Sequence, residues 1–183
     1  MELLPTELPD VLVVRPTLRH DERGSVRFVW NSGAWSDAGL PTQFSLENHL
    51  ISHQWVLRGI HRQMNQPQGK LVRCLAGRVF DVAVDLRAGV PTFGHWVGHE
   101  LDADSGESLW VPPGFGHGVL ALTEGAVLSI QASVPALAGD ERTLAWDDPT
   151  VGVKWPLPPG RQPGLSARDR AGEELAAFEA SRV

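Results

Sequence analysis

The most informative stretch of this chain for its fold is Trp110-Val111-Pro112-Pro113-Gly114-Phe115-Gly116-His117-Gly118. Its prolines and glycines turn the chain sharply. The turn delivers His117 at the start of Val119–Leu122, an apolar run that is typical of a strand. A histidine can have a purely structural role at such a point, but the preceding turn favours a residue of a functional site.

Short apolar runs on either side of this segment are typical of strands, since they span roughly 4–8 residues and are bounded by Gly, Pro or Asp. The predicted strands are Val11–Val14, Ser25–Trp30, Leu71–Cys74, Arg78–Val84, Ser108–Val111, Val119–Leu122 and Ala126–Ala132. Strands of this length and spacing predict an all-β sandwich or barrel.

Helical patterning is weak until the C-terminal end of the chain. Four prolines between residues 156 and 163 predict a stiff, extended connector. After Ser166–Asp169, the Ala/Glu-rich stretch Arg170–Ser181 predicts a terminal helix. Because 183 residues suit one compact domain, we expect a single domain over residues 1–183, with a barrel over about 10–157 and the connector and helix over about 158–183.

The composition argues against several classes of protein. With 42% hydrophobic and 21% charged residues, the chain has the make-up of a soluble domain. A net charge of −6 argues against general nucleic-acid binding, because phosphates need basic partners. The N-terminus lacks the pattern of a signal peptide, and no apolar run approaches the roughly 18 residues that span a bilayer. With Cys74 as its single cysteine, the chain is expected to be cytoplasmic, without membrane or nucleic-acid partners.

A basic cluster covers Arg58-Gly59-Ile60-His61-Arg62-Gln63 and Gln68-Gly69-Lys70-Leu71-Val72-Arg73. If the first segment is an extended strand, Arg58 and His61 lie on opposite faces, unless a bulge at Gly59 turns one of them. Taken alone, the cluster is typical of a basic, solvent-exposed strand edge.

The pattern Pro112-x-Gly114-x-x-His117 resembles the second motif of the cupin barrels. Metal-binding cupins carry His-x-His and a later Glu in their first motif, whereas this chain has His61-Arg62-Gln63. A transition-metal site needs about three or four nitrogen or oxygen ligands. Further candidates lie outside the motif and are His49, His53, His95 and His99. We interpret the last two as surface or core histidines and expect no bound metal.

Seven segments follow one another in an order that is specific for one family. They are Val56–Gln63, Gln68–Arg73, Gly77–Asp85, Pro91–Gly94, Trp110–Gly118, Trp146–Pro149 and Trp155-Pro156. Asp21-x-Arg23-Gly24 near the start and Leu165-Ser166-x-x-Asp169 near the end fit the same series. The series is similar to the dTDP-4-dehydrorhamnose 3,5-epimerase family, the RmlC-like cupins. The resemblance implies a cupin double-stranded β-helix, a jelly-roll barrel, with a short C-terminal helix.

The resemblance also implies an activity and partners. Members of the family epimerise a dTDP-4-keto-6-deoxyhexose by abstracting a proton beside the ketone, and they need no metal or redox cofactor. They form homodimers that exchange an N-terminal segment. For this chain, the resemblance therefore implies a dTDP-sugar substrate, a homodimer and no cofactor.

Three positions match the catalytic residues of the family. His61 matches the general base, Asp169 the carboxylate that orients this base, and Lys70 the lysine near the 4-keto oxygen. A neutral imidazole paired with a carboxylate suits a base near neutral pH. Lys70 and His117 suit the stabilisation of negative charge that develops on the ketone oxygen.

Four positions match ligand-binding residues of the family. Arg58 matches a diphosphate-binding arginine, in keeping with the planar fork that Arg offers to oxyanions. Asn48 and His117 match positions that contact the ligand. Arg23 matches a residue that reaches the nucleotide from the partner subunit.

The chain departs from the family at the residue that protonates the opposite face of the enolate. The family uses a tyrosine 13 residues after the histidine that His117 matches, and this position is Ile130 here. The chain contains no Tyr. A second family tyrosine falls within Val134-Pro135-Ala136, and a family glutamine two residues before Asn48 is Leu46 here.

Three hypotheses follow, in order of preference. The first is an epimerase that acts at one carbon, carbon 3, or uses a donor other than tyrosine, such as Ser129, Ser133 or water. Loss of a general acid typically costs about 10²–10⁴ in rate, which slows the chemistry without abolishing it. The second is an altered keto-sugar isomerase of the same fold. The third is a catalytically inactive nucleotide-sugar-binding paralogue, against which the retained base, its orienting carboxylate and the oxyanion donors argue.

Overall fold

The computed structural model describes residues 1–180, which form thirteen strands and three short helices. The strands are β1 (Glu2–Pro5), β2 (Leu12–Arg15), β3 (Thr17–Asp21), β4 (Gly24–Phe28), β5 (Leu46–Ser52), β6 (Leu57–Gln63), β7 (Lys70–Ala76), β8 (Arg78–Asp85), β9 (Trp96–Asp102), β10 (Ser108–Val111), β11 (Phe115–Ala121), β12 (Ala126–Ala132) and β13 (Glu141–Thr143). The helices are α1 (Ser32–Asp37), α2 (Ala167–Arg170) and α3 (Leu175–Ala180). None of these three helices has the length and apolar character needed to cross a membrane.

Two antiparallel sheets enclose the core. One has the strand order β1-β2-β10-β7-β12-β5, the other has the order β13-β6-β11-β8-β9, and β3 and β4 form a separate hairpin. The main core cluster mixes side chains of both sheets, such as Val72 and Leu128 from the first and Val79 and Val119 from the second. Burial of these apolar side chains holds the two sheets face to face. The arrangement confirms the predicted all-β jelly roll of the cupin type.

All seven predicted strands are present, but β11 begins at Phe115, four residues before the predicted Val119. His117 therefore lies inside a strand and not at its start, which corrects the interpretation from the sequence. Glycine is suited to the positions on either side of His117, because its lack of a side chain lets β11 lie close to the side chain of Ile60 on β6. A Cβ at Gly116 would lie 2.7 Å from Ile60 Cγ2.

The outer face of the five-stranded sheet is covered by the C-terminal part of the chain. A second apolar cluster joins Ile60 and Val84 of this sheet to Val151, Leu175 and Phe178. As a result, β11 is buried along its whole length. Strands buried on both faces carry apolar sequence without strict alternation, as Val82-Ala83-Val84 does.

The predicted short C-terminal helix is confirmed as α3, but it begins at Leu175 and not at Arg170. Ser181, the predicted last residue, lies outside the described residues. Helix α2 begins earlier, and an extended segment separates it from α3. In that segment Glu173 pairs with the barrel, since its N–H donates to Thr143 O and its carbonyl accepts from Ala145 N, both at 2.8 Å. A Cβ at Gly172 would lie 2.7 Å from Ala145 Cα, so this close pairing relies on glycine.

A bulge in β6 sets the direction of its site residues. His61 pairs with His117 and Arg58 pairs with Val119, so three steps along β6 match two along β11. Gly59 supplies the extra residue, with φ of +123°. Arg58 and His61 therefore face the same side of the sheet. The sequence left open whether a bulge at Gly59 turns one of these side chains, and the structure contains that bulge.

We expect Gly59→Ala to destabilise the protein by about 2–3 kcal/mol, because a side chain is strained at this φ and the new Cβ would lie against β11. The Cβ would meet Gly118 Cα and His117 O, each at 2.6 Å. Urea unfolding measures the free energy of unfolding. The matched control is Gly125→Ala, where φ is +66° but no atom lies within 4 Å; there we expect a loss of about 1 kcal/mol. Equal losses at the two sites would contradict the steric argument.

Candidate active site

A cavity of about 200 Å³ lies between the two sheets. The wall from the five-stranded sheet consists of Arg58, His61, His117, Val119 and Glu141. The wall from the six-stranded sheet consists of Leu46, Asn48, Leu50, Lys70, Ile130 and Ala132. Gln68 and Ala136 line it from loops. The cavity therefore brings together Asn48, Arg58, His61, Lys70, His117 and Ile130 from the sequence prediction.

His61 and Asp169 form a close pair at the edge of this cavity. His61 Nε2 lies 2.6 Å from Asp169 Oδ1, and the Asp169 side chain is almost fully buried. Asp169 is held in turn by Ser166, whose hydroxyl donates to Asp169 Oδ2 at 2.8 Å and accepts from Asp169 N–H at 3.1 Å. The carboxylate thus occupies one ring nitrogen of His61 and leaves Nδ1 for a reacting group.

Glu141 is a cavity residue that the sequence analysis missed. Its Oε1 lies 3.8 Å from His61 Nδ1, and its Oε2 accepts a hydrogen bond of 2.8 Å from Arg168 Nη2. It lies on the short strand β13, which pairs with β6 through Thr143 and His61. Only this pairing brings Glu141 to the cavity, and the charged run Asp140-Glu141-Arg142 has no strand pattern that would reveal it.

The environment of His61 favours its neutral form. Burial of the imidazole lowers its pKa, and the neighbouring carboxylates of Glu141 and Asp169 oppose this shift. A neutral imidazole near pH 7 has a free lone pair on one nitrogen, and the partner carboxylate stabilises the imidazolium that forms when it takes a proton. His61 is therefore suited to act as a general base.

Lys70 brings a cation to the wall opposite His61. Burial lowers the pKa of its ammonium, and the carboxylates of Glu141 and Asp81 oppose that shift. Within residues 1–180, no hydrogen-bond acceptor takes this ammonium in the unliganded chain. Its protons can therefore be donated to a ligand oxygen, and the match of Lys70 to the lysine near the 4-keto oxygen stays a prediction.

His117 is oriented by a buried carboxylate. Its Nε2 lies 2.7 Å from Asp81 Oδ1, and both side chains are buried. The other oxygen of this carboxylate, Asp81 Oδ2, has no hydrogen-bond partner in the described part of the chain. A fixed imidazole at the cavity wall can present a hydrogen bond to a ligand in one direction only.

The predicted ligand-binding residues differ in their positions. Arg58 is tied to β5 by hydrogen bonds to Ser52 Oγ at 3.1 Å and to Ile51 O at 3.2 Å. Asn48 lies on the edge strand beside Ile130. Arg23 is not brought to the cavity of its own chain: its side chain is 81% exposed on the β3–β4 hairpin and pairs with Asp21 at 2.6 Å. Its reach into a partner subunit stays a prediction.

The wall around Ile130 is apolar, since Leu46, Leu50 and Ala132 surround it. The two serines considered as replacement acids point elsewhere. Ser129 donates its hydroxyl proton to Glu47 Oε1 at 2.6 Å, on the face of β12 away from the cavity. Ser133 Oγ accepts the N–H of Gly69 at 2.9 Å.

Gln63 stands where metal-binding cupins carry their second imidazole, and its amide ties two loops together. Its Nε2 donates to Gln66 O at 2.6 Å and Pro135 O at 3.1 Å, while its Oε1 accepts from Leu137 N at 2.9 Å. Within residues 1–180, no group of three or more His, Cys, Asp or Glu side chains is arranged to hold a metal ion.

Asp169→Asn should lower the pKa of His61 further, because the carboxylate that stabilises the imidazolium is removed. Glu141→Gln should shift it in the same direction for the same reason. In both variants the imidazole then stays neutral down to a lower pH. NMR titration of the His61 ring protons measures the shift.

The control for this titration is Glu124→Gln, which removes an exposed carboxylate paired with His53. It should leave the titration of His61 unchanged. A His61 pKa that rises in Asp169→Asn would contradict the stabilising role of this carboxylate.

Comparison with known proteins agrees with this geometry. A model of the family described as dTDP-4-dehydrorhamnose 3,5-epimerase matches residues 5–177. The enzyme of that name from Pseudomonas aeruginosa is 43% identical over 170 residues, which cover 92% of this chain and 93% of that protein. The crystal structure of a 3,5-epimerase from Legionella pneumophila with dTDP-4-keto-L-rhamnose has 36% identity and a TM-score of 0.92, covering 98% and 95% of the two chains. A 3'-monoepimerase from Streptomyces bikiniensis in complex with dTDP-quinovose has 30% identity and a TM-score of 0.89, covering 96% and 89%. The chain belongs to the dTDP-4-dehydrorhamnose 3,5-epimerase family, a family of isomerases.

Proposed function

We propose that this chain epimerises a dTDP-4-keto-6-deoxyhexose by abstracting a proton beside the ketone, and that it inverts carbon 3. The observation that carries the proposal is the close pair of His61 and Asp169 at a cavity that also holds Lys70. Two proteins similar to this chain, from Pseudomonas aeruginosa and Legionella pneumophila, are named as epimerases of such sugars. The cytoplasm stays the predicted location.

The reaction begins when His61 Nδ1 removes the proton from the carbon beside the ketone. Asp169 holds the ring through Nε2 and stabilises the imidazolium. Negative charge then develops on the ketone oxygen, where Lys70 donates a hydrogen bond to it. Arg58 binds the diphosphate, for which its guanidinium is suited. The carbanion carbon finally receives a proton on its other face.

The wall opposite His61 supports a restriction of the reaction to one carbon. Isoleucine has no proton to give, and Leu46 and Ile130 make this wall apolar where the family pattern has polar side chains. The family includes an enzyme named as a 3'-monoepimerase, from Streptomyces bikiniensis. Inversion at a single carbon is therefore chemistry that the barrel supports.

Incubation with dTDP-4-keto-6-deoxyglucose in D₂O tests the function. We expect deuterium and inversion at carbon 3, with little of either at carbon 5. His61→Asn should lower the incorporation at least 10²-fold, because no base remains. The control His53→Asn changes an exposed histidine far from the cavity and should keep the wild-type rate.

Other labelling patterns would contradict the proposal and indicate a different activity. Incorporation at both carbons at equal rates would indicate full 3,5-epimerisation. A product whose ketone has moved would indicate a keto-sugar isomerase. A chain that binds the nucleotide sugar without any exchange would be an inactive paralogue.

Ile130→Tyr should raise inversion at carbon 5 relative to carbon 3, because a phenol would then face His61 across the cavity. NMR of the product sugar measures the ratio. The added ring costs roughly 1–3 kcal/mol if the wall cannot adapt, so thermal unfolding is measured alongside. Ile130→Phe is the matched control, since it adds the ring without the proton. An equal effect of both variants would exclude the phenol as the donor.

We also propose that the chain is a homodimer in which Arg23 of each subunit reaches the nucleotide held by the other. Two features support this: Arg23 is exposed and remote from its own cavity, and its hairpin exposes the large apolar side chains of Leu18, Val26 and Phe28. Sedimentation should find twice the 19.9 kDa chain mass. A monomer at micromolar concentration would contradict the proposal.

A further inference from the structure

Inversion requires a proton from the face of the sugar opposite the base. His61 lies on the wall that the five-stranded sheet contributes. Three further titratable residues, Arg58, His117 and Glu141, lie on the same wall. A donor for the opposite face must therefore lie on the wall from the six-stranded sheet, or be water. The family pattern places a tyrosine there, and this chain has none.

The wall from the six-stranded sheet contains one titratable side chain among the described residues, which is Lys70. Its other members are aliphatic, apart from Asn48, whose amide does not release a proton near neutral pH. Ser129 on the same strand as Ile130 points to the opposite face of the sheet, where it binds Glu47.

The strand register brings Lys70 next to the position that Ile130 occupies. In the β7–β12 pair, Lys70 lies opposite Ala132, and Val72 lies opposite Ile130. Lys70 and Ile130 are therefore diagonal neighbours on one face, about 7–8 Å apart at the backbone. The four-carbon stem of lysine is long enough to bring its ammonium over a neighbouring isoleucine.

We propose that Lys70 is the proton donor to the opposite face of the enolate in this chain, in place of the tyrosine that it lacks. This inference rests on the proposed epimerase function. His61 takes the proton of the C–H bond, whose electron pair moves into the enolate. That pair then forms a new C–H bond with a proton from Lys70 Nζ, which leaves a neutral amine and an imidazolium. Exchange with water returns the proton from His61 to solvent and restores the ammonium of Lys70.

The surroundings of Lys70 suit this step. The enclosed ammonium has a lowered pKa, so it gives up a proton more readily than an exposed lysine. An ammonium has three protons, so one can bind the ketone oxygen while another points to the carbon.

Lys70→Arg separates proton donation from charge stabilisation. The guanidinium keeps the positive charge and its hydrogen bonds, but it does not release a proton. In D₂O we expect deuterium to enter carbon 3 with retained configuration within about tenfold of the wild-type rate, because His61 still removes and returns the proton. Inversion should fall by about 10²–10⁴. The ratio of inversion to exchange, read by NMR of the sugar, is the decisive quantity.

The other outcomes overturn the proposal. Unchanged rates of both exchange and inversion in Lys70→Arg would identify water as the donor. An equal loss of both rates would limit Lys70 to binding the ketone oxygen. If the arginine is not accommodated, as judged by thermal unfolding, Lys70→Ala with added ethylammonium replaces it. The amine should restore inversion more than exchange, and a failure to do so counts against Lys70. Absence of exchange in the wild-type chain would instead contradict the epimerase function itself.

Discussion

The hydrogen bond between His61 and Asp169 joins residues that are 108 positions apart, and the candidate site depends on it. It forms only if the C-terminal part of the chain lies against the barrel. Three features hold that part in place: the pairing of Glu173 with β13, the glycine that permits it, and the apolar cluster that includes Leu175 and Phe178. His61 is therefore oriented by the C-terminal segment, and a loosened C-terminus would disorient its imidazole without unfolding the sheets.

The two walls of the cavity have different chemical roles. The five-stranded sheet carries the imidazoles of His61 and His117 and the guanidinium of Arg58, each fixed by a neighbouring side chain or backbone group. The six-stranded sheet is mainly aliphatic at this point, and Lys70 is its one cationic side chain in the described cavity. Beside aliphatic side chains a single charge acts more strongly on a nearby anion than it does in water, since the effective dielectric constant is lower. The loss of polar groups on one wall therefore makes the chain more dependent on this lysine.

The all-β class could be predicted from local patterns in the sequence, whereas the cupin barrel and the candidate site residues were implied by the resemblance of ordered motifs to one family. Turn residues mark the strands, and the motifs around His61 and His117 lie within single strands. The terminal helix begins later than its Ala/Glu-rich segment predicts because Glu173 pairs with the barrel, a tertiary contact that this segment does not reveal. Glu141 was missed for a similar reason, since a three-residue strand beside β6 brings it to the cavity. Long-range pairing is the information that short patterns lack.

The bulge at Gly59 has a consequence for how such a site can be lost during evolution. Side chains alternate along a regular strand, so Arg58 and His61 face the same way only because β6 has one residue more than its neighbour requires. A deletion of one residue here would restore regular alternation and turn Arg58 away from the cavity. Every residue of the cavity would still be encoded, yet the diphosphate-binding and proton-abstracting groups would no longer share a face. The set of side chains that face this cavity therefore depends on the number of residues in β6 as well as on their identity.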